Sequence, residues 1–472
     1  MLEGLETVTV NFSTTLGNKD FRIDSDFWTK EPKKNPKLKY DKIGNLLVSA
    51  QYGISVSMNE DGVGYPIYRM NEIHNMMCDL EVDKHADISK EEFQKFRLND
   101  RDVLFNRTNS YEWVGRTGIY RKLENRDFTF ASYLVRFIPN ENYIYPEYLA
   151  TYLNTKYGIW DVKRRSRQSI NQTNVNPEEV KEIFIPLLSK SIQNYIKESF
   201  EIAHINRIHS TELYSQAETL LLETLGLNNF EPTSEAVNVK NFRESFLSTG
   251  RLDAEYYQKK YDDYIDLICN YPNGYESIEV ACKQKDVNYT PKDNTEYKYI
   301  ELANIGKIGD ITGCTIAIGS ELPTRARRKV NTNDVIISSI EGSLDSCAIV
   351  TKEYDNALCS TGFYIISSNK INSETLLILF KSEPIQNILK KGCSGTILTA
   401  INKTEFQNIP IPIIDKQIQQ QIASQVSESF MLKKQSEQLL ETAKRAVEIA
   451  IEEGEENALQ FIENANNALN NK

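Results

Sequence analysis

No apolar run in this chain approaches the roughly 18 to 20 residues that a bilayer-spanning helix needs, so the sequence offers no membrane segment. Its first residues include Glu3 and Glu6 and no apolar h-region, which leaves no secretory signal to read. The seven cysteines, Cys78, Cys269, Cys282, Cys314, Cys347, Cys359 and Cys393, are odd in number and form no CxxC pair. Unpaired thiols in a reducing cytoplasm fit that usage. Of the four histidines, His204 and His209 stand five apart, off a shared helix face, so they read as polar helix positions rather than metal ligands. No GxGxxG or P-loop string occurs, and nucleotide-driven chemistry has no support. The Asn-Pro pairs, Asn35-Pro36 and Asn176-Pro177, run into Lys37 and Glu178, unlike the Asn-Pro-Pro-aromatic string of a DNA methyltransferase. Asp286, Glu296 and Lys298 form an acid…Glu-x-Lys string that could hold a metal for nucleic-acid cleavage, but it reads as easily as a charged turn. No catalytic residue and no cofactor is assigned.

Positive charge is also short. With 55 Lys and Arg against 66 Asp and Glu, the net charge is −11, which argues against a surface uniformly attractive to polyanions. A polyanion responds to local charge, however, and the cations here are clustered while acids gather in Glu448, Glu452, Glu453, Glu455 and Glu456.

What the chain does have is length and a repeat. Its 472 residues exceed one ordinary core, and 40% apolar with 26% charged residues is a globular composition. Phe21-Arg22-Ile23-Asp24-Ser25-Asp26-Phe27-Trp28 returns as Gly250-Arg251-Leu252-Asp253-Ala254-Glu255-Tyr256-Tyr257. Asp102-Val103-Leu104-Phe105 returns as Asp334-Val335-Ile336-Ile337, and Ile185-Pro186-Leu187 as Ile411-Pro412-Ile413. Ile192-Gln193 and Ile196 return as Ile418-Gln419 and Ile422. The matches keep one order and nearly one spacing, the signature of an internal duplication.

Each repeat starts on Arg-x-Asp-x-x-aromatic-aromatic and continues as mixed strands and helices. Val335-Ile336-Ile337 and Tyr364-Ile365-Ile366 are β-branched, buried-strand sequences, while 148–153 and 375–380 read as helices. Each ends in a long Pro-free helix. The first runs from about Ser189 to Leu225, with Ile192, Ile196, Phe200, Ala203, Ile208, Leu213, Ala217, Leu220 and Leu221 on one stripe and Gly226 as its stop. The second runs from near Asp415 past Ile451, with Ile418, Ile422, Val426, Phe430, Leu439, Ala443, Val447 and Ile451. A one-faced helix of that length, ~55 Å, needs a partner, and the natural partner is the other one.

The expected segments are a first lobe over 1–187, a long helix over 188–227, a linker over 228–248, a second lobe over 249–413, a second long helix over 414–453, and a tail over 454–472 that is a short helix or frayed.

This order of lobe, helix, lobe, helix resembles the specificity subunit of type I restriction-modification systems over nearly the whole chain. The anchors are Asp102-Val103-Leu104-Phe105-Asn106-Arg107, the stretch from Gln168-Ser169-Ile170-Asn171 to Ile185-Pro186-Leu187, and their second-repeat counterparts at Asp334 to Ser339 and from Gly395-Thr396 to Ile411-Pro412-Ile413. The resemblance implies an α/β (mixed α+β) fold: two similar target recognition domains separated by two long antiparallel coiled-coil helices, related by a pseudo-twofold repeat. It implies a non-catalytic, cytoplasmic adaptor that reads a bipartite double-stranded DNA site, one half per lobe. It also implies two DNA methyltransferase subunits as partners and admits restriction subunits beside them. A DNA-reading or protein-interaction scaffold of another phage-defence complex remains the alternative.

Four regions carry the side chains that could meet DNA. Lys163, Arg164, Arg165 and Arg167 lead into Gln168 and Asn171, and Arg forks suit guanine or phosphate while Gln and Asn suit adenine. Arg107 and Arg116 flank a polar, aromatic loop after a strand. In the second repeat the candidates are Arg325, Arg327, Arg328 and Lys329, then Ser338 and Ser339, then Lys390, Lys391, Ser394 and Thr396. The plain alternative for each is a solvated turn.

Overall fold

The computed structural model describes residues 8–16, 22–29, 32, 34–124, 126–170, 172–228, 230–235, 237–395 and 399–470. It divides into two compact units, 1–208 with 433–472 and 209–432. The divisions fall inside the two long helices, Lys190–Thr224 and Lys416–Glu453, rather than at their ends. The physical reason is burial: each lobe covers its apolar surface with one half of each helix.

In the first unit Ile192, Ile196, Phe200 and Ala203 share a core with Leu439, Ala443, Val447 and Ile451, and Ser436 Oγ donates to Ala203 O at 2.9 Å. In the second unit Ala217 and Leu221 share a core with Ile422 and Val426. There Ser210 Oγ donates to Ser429 O at 2.8 Å and Ser429 Oγ to Ser210 O at 2.7 Å. Within each unit, rising numbers on one helix meet falling numbers on the other, so the halves pack antiparallel. Buried serines at the contact keep the backbones close and satisfy their hydroxyls on carbonyls.

The lobes repeat one topology. In the first unit, Leu47–Tyr52, Leu134–Pro139, Val103–Asn106 and Thr117–Ile119 lie side by side, each antiparallel to its neighbour, and the Ile73–His74 and Met77–Cys78 hairpin extends that sheet. In the second unit, Lys283–Lys285, Phe363–Ser367, Val335–Ser338 and Cys347–Ile349 follow the same order, with Ile336 opposite Ile365. Both β-branched runs read as strands above are therefore direct neighbours in the core. The Ile-Pro segments close each lobe as short antiparallel pairs, Tyr40–Lys42 with Phe184–Pro186 and Tyr275–Ser277 with Pro410–Pro412.

Polar contacts repeat with the backbone. Arg22 pairs with Asp24 and donates to Arg164 O at 3.1 Å, while Arg251 pairs with Asp253 and donates to Cys393 O at 3.1 Å. The Arg-x-Asp motif thus ties each repeat's start to the C-terminal end of a helix, whose carbonyls want a cation. Asp102 accepts from Asn99 N at 2.9 Å and Asp334 from Asn331 N at 2.7 Å, each closing the turn before its strand. Gln193 and Gln419 clamp the long helices: their Oε1 atoms accept from Tyr145 N and Asn372 N, and their Nε2 atoms donate to Leu188 O and Ile414 O.

Two segments outside the lobes and long helices carry contacts of their own. The 228–248 segment packs on the second lobe: Asn238 Nδ2 donates to Tyr257 O at 2.9 Å and the Phe230 and Tyr264 rings lie 5.6 Å apart. The tail forms a helix, Glu455–Asn470, that buries Ala458 in the first core.

Candidate nucleic-acid interface

Three cations of the first basic cluster sit on a helix, Lys156–Arg165. Thr155 caps it by accepting from Gly158 N, and three cations fill its last turn, where the helix dipole favours them. Their fates differ. Arg164 and Arg165 are each only 6% exposed. Arg164 bonds Asp161 and donates to Phe27 O at 2.8 Å, while Arg165 meets Asp161 at 3.0 Å and Glu179 at 3.1 Å. Both guanidinium groups also lie over the Phe27 ring. The structure corrects their assignment: burial and carboxylates commit them to the core, so they cannot meet DNA without unfolding the helix end. Lys163 is half-buried, donating to Glu112 O at 3.0 Å above the Tyr111 ring.

Beyond the helix, Arg167–Gln168 pairs with Thr173–Asn174, which pairs with Thr108–Asn109. The pairing puts Thr108, Asn174 and Arg167 in one row and Asn109, Thr173 and Gln168 in the other, on opposite faces. Both rows end on an exposed side chain, Arg167 in one and Gln168 in the other, while Thr108 and Thr173 are buried. Thr108 Oγ1 donates to Asn174 Oδ1 at 2.7 Å, which orients the Asn174 amide. Arg107, half-buried, lies over the Tyr52 ring at 5.3 Å and donates to Ser132 O at 3.4 Å. Arg116, also half-buried, lies over Trp113 at 3.4 Å. Asn171 lies outside the described residues.

The second unit carries a similar edge. Its helix Glu383–Gly392 again ends on cations, exposed Lys390 and half-buried Lys391 over the Tyr256 ring at 4.9 Å. Burial pushes the Lys391 ammonium below its usual range. Cys393–Ser394 then pairs with Ala400–Ile401, and Ala400 bridges to Ile340, the counterpart of the three-strand arrangement in the first unit. Ser394 is exposed and Thr396 lies outside the described residues. Ser338 is fully buried against Ser343, which corrects its place as a reader, and Ser339 spends its hydroxyl on Gly362 O.

The second basic cluster is an edge strand, Ala326–Lys329, rather than a surface loop. Arg325 pairs with Glu301 at 3.0 Å and Arg327 donates to Thr324 O at 2.8 Å, both from exposed positions. Arg328 is half-buried on Asp286 at 2.5 Å, and Lys329 is exposed. Asp286 also binds Lys403, and hydrogen bonds from Lys403 and then Arg328 hold its carboxyl below the usual range. That removes the acid of the candidate cleavage string, whose Lys298 donates to Glu353 O instead. Among the described residues no three acidic, histidine or cysteine side chains gather as a metal site. His204 is buried, and desolvation lowers its pKa to about 4, so it is a neutral packing residue.

Sequence reasoning missed Tyr52, which sits under Arg107. No local signal marks it, because only the sheet brings the 47–52 strand to residue 107. No helix is long and apolar enough to cross a membrane among the described residues.

Residues 276–442 match the family model for the type I restriction modification DNA specificity domain. A putative type I restriction enzyme MjaX specificity subunit of Methanocaldococcus jannaschii is 23% identical over 412 residues, 86% of this chain and 90% of its own length. The type I restriction enzyme EcoKI specificity subunit of Escherichia coli is 25% identical over 177 residues, 37% of this chain and 36% of its own. The crystal structure of a type I restriction-modification S subunit from M. genitalium aligns over 91% of this chain and 98% of its own, at 11% identity and a TM-score of 0.40. The second repeat thus matches a type I restriction modification DNA specificity domain, and the chain over most of its length is similar to a type I restriction enzyme specificity subunit.

Proposed function

We propose that this chain reads a bipartite double-stranded DNA site, with each unit contacting one half, and that it does no chemistry itself. The observation that carries this reading is the recurrence, once per unit, of a helix ending on cations followed by a short polar β-edge. In the first unit Arg167, Gln168 and Arg107 are the contacts. In the second they are Arg325, Arg327, Lys329, Lys390 and Ser394. Arginine forks and side-chain amides recognise base edges in the major groove, while lysines neutralise phosphate. Two DNA methyltransferase subunits dock on the chain and supply cofactor and catalysis, the same complex has room for restriction subunits, and the long helices set the distance between half-sites.

The test is selection of bound sites from random duplex DNA, with the methyltransferase subunits present. The expected outcome is one asymmetric site in two blocks, separated by positions of no preference. A single continuous block, or no enrichment, refutes the reading.

A further inference from the structure

The short sheet that follows each basic helix end is one scaffold carrying two different sets of side chains. In the first unit Asn174 stands in the central strand, opposite Thr108 on one side and Arg167 on the other, so the three share a face. In the second unit Ala400 stands opposite Ile340 and Ser394, on the same three positions. The turn beside them is held by different chemistry in each unit. Buried Asn106 accepts from Thr108 N at 3.3 Å through Oδ1, and buried Ser338 accepts from Ile340 N at 3.1 Å through Oγ. The backbone is therefore kept alike in both repeats, while the row changes from Thr-Asn-Arg to Ile-Ala-Ser. Two readers of different base sequences need that combination, a rigid scaffold with exchangeable side chains.

The Asn174 amide is held in one orientation. Thr108, only 5% exposed, donates its hydroxyl to Asn174 Oδ1 at 2.7 Å. Oδ1 is thereby turned toward the buried end of the row. Nδ2, which makes no hydrogen bond among the described residues, is turned away from it. Asn174 is half-buried, and Arg167 at the other end of the row is exposed. An arginine has no acceptor, and an asparagine whose carbonyl is turned inward offers only N–H groups. The accessible part of this row therefore presents hydrogen-bond donors.

Donors alone discriminate among base edges. Pairing an asparagine with adenine needs its carbonyl to accept from N6 while its amide donates to N7, and here the carbonyl is withdrawn. In the major groove guanine presents two acceptors, O6 and N7, and thymine presents one, O4. Adenine sets its N7 acceptor beside a donor, and cytosine presents a donor only. The two N–H groups of Nδ2 are both met by guanine alone. Facing side chains on neighbouring strands have Cβ atoms ~4.5–5.5 Å apart. That separation lies between one and two base-pair rises of ~3.4 Å, so Asn174 and Arg167 address adjoining base pairs.

We propose that Asn174 is a specificity-determining residue of the first unit. It reads guanine through Nδ2, beside the base pair met by Arg167, and Thr108 is the positioning residue that denies it adenine. This assignment rests on the bipartite reading of duplex DNA proposed above and adds the base that one position takes.

The experiment is selection of bound sites from random duplex DNA by the full chain, with the methyltransferase subunits present. The wild type is expected to favour guanine about tenfold at one position in one of its two blocks. Asn174→Asp keeps the bond from Thr108 but presents an acceptor, so preference at that position should move from guanine to cytosine, whose N4 donates. Thr108→Val keeps the shape and frees the carbonyl, so adenine should be accepted there beside guanine, whereas Thr108→Ser should retain the wild-type preference. The other block should stay unchanged in every variant, which also shows that each variant is folded and assembled. An unchanged position in Asn174→Asp, or uniform weakening of all sequences as for a phosphate contact, overturns Asn174 as a reader. An unchanged position in Thr108→Val overturns the positioning role. Either result leaves two blocks in the wild-type site and the bipartite reading standing. A wild type that selects no two-block site overturns that reading and this assignment with it.

Discussion

Four cations crowd into residues 163–167, and the structure gives them different work. Arg164 and Arg165 neutralise Asp161 and Glu179 inside the first unit; Asp161 keeps one partner if either is lost, but truncating Arg165 strands buried Glu179. Arg165→Ala should cost about 3–5 kcal/mol in urea unfolding. Arg167→Ala should cost under about 0.5 kcal/mol, as exposed substitutions do. Equal destabilisation by the two would show that burial is not what separates them. DNA binding should respond in the opposite way. If Arg167 reads a guanine, its loss relaxes one position by about 1–3 kcal/mol; if it meets only phosphate, all sequences weaken alike and the salt slope falls by about one unit. Arg327→Ala must act in the other half-site. Site selection with the methyltransferase present checks this, and loosening of the same half by both variants would break the assignment of one unit to each half.

At the scale of elements, each long helix is held at its start by one glutamine that satisfies three backbone groups. Gln419 accepts from Asn372 N and donates to Ile414 O and Lys370 O. Gln419→Ala would leave these buried groups unpaired, an expected cost of about 1–3 kcal/mol by chemical denaturation. Gln419→Glu should cost comparably, since a carboxylate cannot donate to the two carbonyls; a neutral result for both would show the clamp to be idle. The helices themselves are the proposed ruler. Deleting about seven residues from Lys190–Thr224 shortens that helix by ~10 Å. The unread gap should then change by about three base pairs at ~3.4 Å each, or binding should be lost. Unchanged spacing with retained affinity would rule out the helix as the ruler.

For the molecule as a whole, the proposed division of labour predicts an inert chain. Purified protein, with its partner excluded by mass spectrometry, should neither methylate nor cleave DNA; adding the methyltransferase subunits should restore methylation at the selected site. Turnover by the chain alone would contradict the adaptor reading. The duplication underlies that reading, and it was legible because its marks are local. Arg22 and Asp24 stand two apart, Gln193 falls one residue after Ile192, and the helix stripes recur every three or four positions, so a periodic pattern reports each without knowledge of the fold.

The sequence by itself therefore determined the repeat, the two long helices, the β-branched core strands and the family resemblance, since each depends on spacing within one segment. The tertiary structure alone decided which cations face solvent. Arg164 is silenced by Phe27, 137 residues away, and Arg165 by Glu179 across a strand pair. Tyr52 reaches Arg107 only through the sheet. It also decided where the compact units divide, inside the helices, because a one-faced helix is stable only where a lobe covers its stripe. Desolvation and pairing are set by neighbours distant in sequence, and a run of basic residues looks the same whether those neighbours are carboxylates or water.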